Sequence, residues 1–223
     1  MFTRLEIGRI AGMTIYLDML FMLVLIFFTY PYFSAGSTQA MSAGFVIVVG
    51  LLVSILLHEL AHAVAGGLFG ARVEYIELTG IGGVAHFERS LPRSVLARSV
   101  IYLAGPAANL LLWHGFDALH DTVASSGHRM LASPLGVLGY SNYWLMLFNL
   151  LPAYPLDGGY TLDAWASALL GPVWAVRIVA GLGLLVAVGV AFLALPTGVF
   201  MLFVALFLAQ VNWQALHNTG RWR

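Results

Sequence analysis

Long apolar runs separated by short polar breaks make up most of this chain. No Asp, Glu, Lys or Arg occurs between Asp18 and Glu59, and Ser34-Ala35-Gly36-Ser37 interrupts that stretch. The pattern predicts one helix near 13–33 and another near 41–65. Residues 99–116 form a third charge-free run and residues 135–152 a fourth. Between Arg177 and Arg221 there is no charge at all, and Leu195-Pro196-Thr197-Gly198 divides that stretch into two hairpinned helices. Each segment approaches the roughly 20 residues needed to cross a hydrocarbon core. Residues 71–88 follow a different rule. Arg72-Val73-Glu74-Tyr75-Ile76-Glu77-Leu78 alternates and is rich in β-formers. Thr79-Gly80-Ile81-Gly82-Gly83 can turn and Val84-Ala85-His86-Phe87 can return, which predicts a short β-hairpin at the membrane edge.

Composition strengthens the membrane reading. The 223 residues are 61% hydrophobic and 9% charged. Soluble domains carry about a quarter charged residues, and a soluble fold of this size cannot hide so much apolar surface. The predicted fold class is an all-α polytopic membrane protein of about six transmembrane helices with a membrane-edge hairpin. It is read as one domain over 1–223, embedded in a lipid bilayer. The stretch from about Met13 to Phe33 is too long for the apolar core of a signal peptide, so it is read as a retained first helix. Net charge is zero, so no basic field favours nucleic acid.

Arginine placement predicts the orientation. With six helices, Arg4, Arg9, Arg72, Arg89, Arg93, Arg98, Arg177, Arg221 and Arg223 fall on one side and Arg129 alone on the other. Positive residues collect on the cytosolic side, so both termini are expected there. Trp213 and Trp222 suit an interfacial belt beside the last helix.

With no cysteine in the chain, any metal must be held by His, Asp or Glu. The strongest chemical signal is His58-Glu59-Leu60-Ala61-His62. Residues four apart share one face of a helix, so both imidazoles can bind one Zn²⁺. Glu59 is then placed to take a proton from water activated by the metal. Ionisable groups at the end of an apolar helix are expensive and rarely idle. Zinc hydrolases generally use three protein ligands, so a third is owed. His86, His114 and Asp157 are the candidates. Asp157 follows two prolines and precedes two glycines in Asn149-Leu150-Leu151-Pro152-Ala153-Tyr154-Pro155-Leu156-Asp157-Gly158-Gly159. A broken helix at membrane depth is tolerated where it is buried in protein or lines a wet cavity. A solvated helix cap is the competing reading of Asp157.

Together these residues resemble the site-2 protease family of intramembrane metalloproteases, which pairs an HExxH helix with a later N-x-x-P-x-x-P-x-D-G segment. Both motifs are present, at His58–His62 and Asn149–Gly158. Gly82-Gly83-Val84-Ala85 and Gly105-Pro106-Ala107-Ala108-Asn109 also look like family features, and the resemblance runs from about Ile7 to the last helix. It implies one Zn²⁺ per chain, ligands His58, His62 and Asp157, Glu59 as general base, and a transmembrane protein substrate. It favours a substrate role for Asn149 over a helix–helix hydrogen bond, whereas Asn109 is read as packing beside Gly105-Pro106. Gly82 and Gly83 either let an extended substrate approach the hairpin edge or only make the turn. Tyr160 stands where the family often has Arg. The PDZ and CBS domains of many relatives are not visible, so either a minimal member or a trimmed part of a longer protein is expected. A metal-ion transporter and a catalytically silent scaffold are the rival readings.

Overall fold

The structure is a computed structural model that describes residues 4–80, 82–88 and 90–218. Ile81 of the expected turn, Arg89, Arg221, Trp222 and Arg223 lie outside the described residues. The elements run β1 (Arg4–Ile10), β2 (Met13–Asp18), α1 (Met19–Ser34), α2 (Thr38–Leu68), β3 (Val73–Thr79), β4 (Gly82–Phe87), α3 (Val95–Ser125), α4 (Arg129–Asn149), α5 (Asp157–Leu170), α6 (Pro172–Thr197) and α7 (Val199–His217). They form two compact units. One comprises Met1–Leu91 and Ala104–Met146, the other Pro92–Leu103 and Leu147–Arg223.

In the first unit the four strands make one sheet in the order β1-β2-β3-β4. The predicted hairpin is present as antiparallel β3 and β4, with Val73 opposite Phe87 and Thr79 opposite Gly82. It is half of a larger sheet. β1 pairs antiparallel with β2, and β2 lies parallel to β3 with Ile15 opposite Ile76. The helix expected from residue 13 therefore begins only at Met19. Thr14, Ile15, Tyr16 and Leu17 suit a pleated strand, where Ile15 and Leu17 point to the buried face. Asp18 then caps α1 by accepting from the Leu20 amide at 3.1 Å. The apolar run hid this strand-to-helix boundary because both elements are apolar.

The buried face of the sheet collects Ile15, Leu17, Val73, Ile76 and Leu78 with Phe21, Leu25 and Ala63. Leu52, Ile55, Leu56 and Leu60 of α2 pack against it. Burying a side chain such as Ile76, 0% exposed, contributes about 1.5–3 kcal/mol. α2 ends in a glycine-dependent turn. Phe69 and Ala71 both donate to the Gly66 carbonyl, at 3.0 and 2.9 Å, and Gly70 takes φ +77°. A side chain on Gly66 would strike the Phe87 ring, so this glycine lets β4 lie on the end of α2.

In the second unit α6 and α7 pack through Ala187, Val190, Ala205 and Leu208, with Ala153 and Leu156 of the preceding loop against them. Their junction is Gly198, at φ +97°, within the predicted break.

Among the described residues, four helices are long and apolar enough to cross a membrane: Thr38–Leu68, Val95–Ser125, Pro172–Leu193 and Val199–His217. α2, at 31 residues, is about 46 Å long against a core of about 30 Å. Of the six expected segments, the first yields a strand and the shorter apolar helix α1 of 16 residues. The fourth becomes α4, which begins at Arg129, before the expected boundary, and carries Ser133, Ser141 and Asn142. The architecture is thus a helical membrane fold with a small β-sheet.

Candidate active site

Helix α2 places His58, Glu59 and His62 on a buried stretch, at 7%, 3% and 6% exposure. The spacing of four turns both imidazoles to one side. Their rings meet edge to face with centroids 4.8 Å apart, and the two Nε2 atoms are 3.1 Å apart. One ligand atom from each of the three residues falls within 4.8 Å of the others.

Two glycines shape the space around this group. A Cβ on Gly105 of α3 would lie 2.5 Å from His58 Nε2 and would also strike His62 Nε2. A Cβ on Gly83 of β4 would lie 2.5 Å from Glu59 Oε1. Backbone alone therefore faces both the convergent nitrogens and the carboxylate. Two imidazoles beside a carboxylate, buried and converging in front of a bare glycine, fit Zn²⁺ by donor type and by room.

The remaining expected residues of this unit are elsewhere engaged. Gly82 has φ +139° and would meet nothing if a Cβ were added, so its requirement is conformational, whereas that of Gly83 is close approach. His86 stacks on Tyr75 at 4.2 Å and its Nε2 lies 3.5 Å from Glu77 Oε2. Partial burial holds the His86 pKa below the ordinary value, against the opposing pull of Glu77. His114 stacks on Trp113 at 4.5 Å. His120 Nδ1 is 2.9 Å from the Ala132 carbonyl, and His128 Nδ1 is 3.3 Å from Ser126 Oγ. None of these four belongs to the cluster formed among the described residues.

Asn149 and Asp157 belong to the second unit. Asn149 ends α4, and Asp157 opens α5, where a carboxylate suits the positive end of the helix. The loop between them folds back on that helix start. Added Cβ atoms on Gly158 and Gly159 would strike the backbone of Leu150 and Ala153, so neither position accepts a side chain. Asn212 of α7, 0% exposed, grips the loop. Its Oδ1 accepts from the Tyr154 amide at 3.1 Å, and its Nδ2 donates to the Tyr154 carbonyl at 2.8 Å and to Leu208 O at 2.8 Å. Tyr160 stacks on Tyr102 at 5.3 Å, and Tyr154 donates to Asp163 Oδ1 at 2.8 Å.

The profile of peptidase family M50 matches residues 46–120. The chain is 34% identical over 230 aligned positions to a putative zinc metalloprotease, Rip3, of Mycobacterium tuberculosis, covering 92% of this chain and 56% of that protein. It is 32% identical to a zinc metalloprotease of Methanocaldococcus jannaschii over 73% of this chain and 47% of that protein. The solved structure of the site-2 protease from Methanocaldococcus jannaschii superposes with a TM-score of 0.69 at 25% identity, covering 96% of this chain and 95% of that one. The chain thus carries a peptidase family M50 match and is similar to zinc metalloproteases and to a site-2 protease. It spans about half the length of the curated relatives it matches.

Ser54, Asn109, Asn142 and Asn212 are polar, fully buried, and went unassigned to the site in the sequence. Asn109, expected as structural packing beside Gly105-Pro106, is buried between helices, and its Oδ1 meets His58 Nδ1. The available signal was composition. Each is an uncharged polar group within a largely apolar helix, where polar side chains must find a partner.

Proposed function

We propose that this chain is an intramembrane zinc endopeptidase, hydrolysing peptide bonds within or near the transmembrane segments of membrane-protein substrates. The observation that carries the reading is the buried convergence of His58, Glu59 and His62 on a helix long and apolar enough to span. His58 and His62 would hold one Zn²⁺, with Asp157 as the third ligand. A zinc ion there supplies Lewis acidity toward a carbonyl oxygen and a water molecule. Glu59 accepts the proton of the attacking water and returns it to the leaving amine. The Gly83 backbone leaves its carboxylate free of side-chain crowding from β4.

A transmembrane substrate must unwind before its peptide bonds can be attacked. β4 is an edge of the sheet, and an extended segment added there gains main-chain hydrogen bonds. Gly82 and Gly83 open that strand, and Asn149 would bind the substrate backbone or its developing oxyanion. The chain acts as one metalloprotease domain in the cell membrane. Both termini are cytosolic, a reading supported by the arginine distribution.

Zinc content and cleavage of a transmembrane test substrate, measured together for wild type, Glu59→Gln and Asp157→Ala in liposomes, test this reading. Glu59→Gln keeps its zinc and loses about 10²–10⁴-fold in rate. Asp157→Ala loses zinc as well. Cleavage that survives Glu59→Gln refutes the mechanism, and full zinc occupancy in Asp157→Ala removes the third ligand.

A further inference from the structure

An imidazole binds a cation through a nitrogen lone pair, so a histidine ligand must carry its proton on the other ring nitrogen. In His58 the atom that faces His62 is Nε2, so Nδ1 must hold the proton if the pair is to receive a metal. What fixes that choice is a line of buried polar groups leading away from Nδ1. Asn109 Oδ1 meets His58 Nδ1. Asn109 Nδ2 donates to Asn142 Oδ1 at 2.8 Å. Asn142 Nδ2 donates to Ser54 Oγ at 3.0 Å and to the Leu138 carbonyl at 2.9 Å. Ser54, Asn109 and Asn142 are each 0% exposed, so no solvent competes.

The two ends of an amide have nearly the same shape, and neighbours decide which end points where. Here one neighbour leaves no choice. A backbone carbonyl only accepts, so the Asn142 atom beside Leu138 O must be the amino group. Its carbonyl then faces Asn109, which must present its own amino group. The Asn109 carbonyl is left for His58, whose Nδ1 must be the donor. The polarity of the line therefore runs from a main-chain oxygen of α4, through α3, to the ring on α2. Its anchor is tightly held, because a Cβ on Gly50 would lie 2.6 Å from Leu138 Cδ2, leaving no slack between α2 and α4.

We propose that Asn109 and Asn142 are positioning residues that lock His58 in the Nδ1–H tautomer, presenting Nε2 as a lone pair before any metal arrives. This rests on the reading of His58 as a zinc ligand. Asn109 acts on the ring directly, while Asn142 acts by holding the Asn109 amide in one of its two orientations. Ser54 adds a second acceptor to Asn142 without setting the direction, because Leu138 O already does so.

The experiment uses the full chain in detergent with ¹⁵N-labelled histidine, metal-free and zinc-loaded, and zinc affinity measured by competition with a chelator. His58→Ala identifies the His58 resonances by difference. Metal-free wild type shows His58 protonated on Nδ1. Asn109→Leu loses that signature and weakens zinc about 10–100-fold, the usual effect of removing a ligand's hydrogen-bond partner. Asn142→Leu shifts both readouts in the same direction by less. Asn109→Asp, which keeps an acceptor for Nδ1, restores the signature and most of the affinity. Should Asn109→Leu not fold, the comparison of Asn142→Leu with Asn109→Asp decides. An unchanged tautomer and unchanged zinc affinity in Asn109→Leu or Asn142→Leu overturn the proposal for that residue. If His58→Ala itself binds zinc like wild type, the metal-centre reading fails instead, and the two failures are thereby distinguished.

Discussion

Gly83 brings the backbone of β4 so close to Glu59 that a single methyl group there would stand 2.5 Å from the carboxylate Oε1. Real Cβ contacts are not that short, so either the carboxylate or the strand must move. Gly83→Ala is therefore expected to retain zinc, since no proposed ligand is touched, and to lose on the order of 100-fold in kcat, the scale of a displaced catalytic group. Steady-state cleavage paired with metal analysis checks this. Wild-type turnover would mean that the position of Glu59 does not limit the reaction.

Gly105→Ala presses on the other side of the site. Its Cβ would collide with the facing nitrogens of both His58 and His62. The expected outcome is loss of zinc together with activity, in contrast to Gly83→Ala. Zinc stoichiometry of the purified variants separates the two glycines.

Asn212→Leu removes both hydrogen bonds to the Tyr154 backbone and leaves a buried amide and carbonyl without that partner. Each unsatisfied group costs about 1–3 kcal/mol. Gly183 admits no side chain beside the Asn212 amide, so the larger residue also has little room to adjust. A lower thermal midpoint is expected, with weaker zinc binding if the loop positions Asp157 as a ligand. Thermal unfolding with and without added zinc reads both effects.

The sheet carries a pH-dependent element in His86. Burial lowers its pKa below the ordinary 6.5, with Glu77 and Glu74 opposing and Arg4 reinforcing the shift. The folded protein then binds fewer protons than the unfolded chain between the lowered value and 6.5. Stability is full above 6.5, falls as the pH drops through that window, and levels off below it. His86→Gln is expected to flatten this part of the profile. Denaturation midpoints across the acid range compare the two.

Much of the candidate site was legible in one dimension because its chemistry is local. His58 and His62 lie about one helical turn apart with Glu59 between them, so spacing alone sets the shared face of the two imidazoles. The Asp157 segment announced itself by Pro152 and Pro155, which fall in the break between α4 and α5, and the β3–β4 hairpin by its alternation. Hydropathy likewise determined the membrane class, because it is a property of composition. What the sequence left undecided depends on partners distant along the chain. Met13–Asp18 is apolar enough for a helix and becomes a strand because β3, some sixty residues later, offers it a parallel edge. Asn109 reads as a packing residue until the fold carries Asn142 and His58 to its two ends. Whether a glycine serves a turn or a close approach depends on what stands opposite, which separates Gly82 from Gly83. Residue identity fixed which groups can donate, accept or bind metal. Only the tertiary structure decided which of them meet, because hydrogen bonds and steric contacts act over a few ångströms of space regardless of separation along the chain.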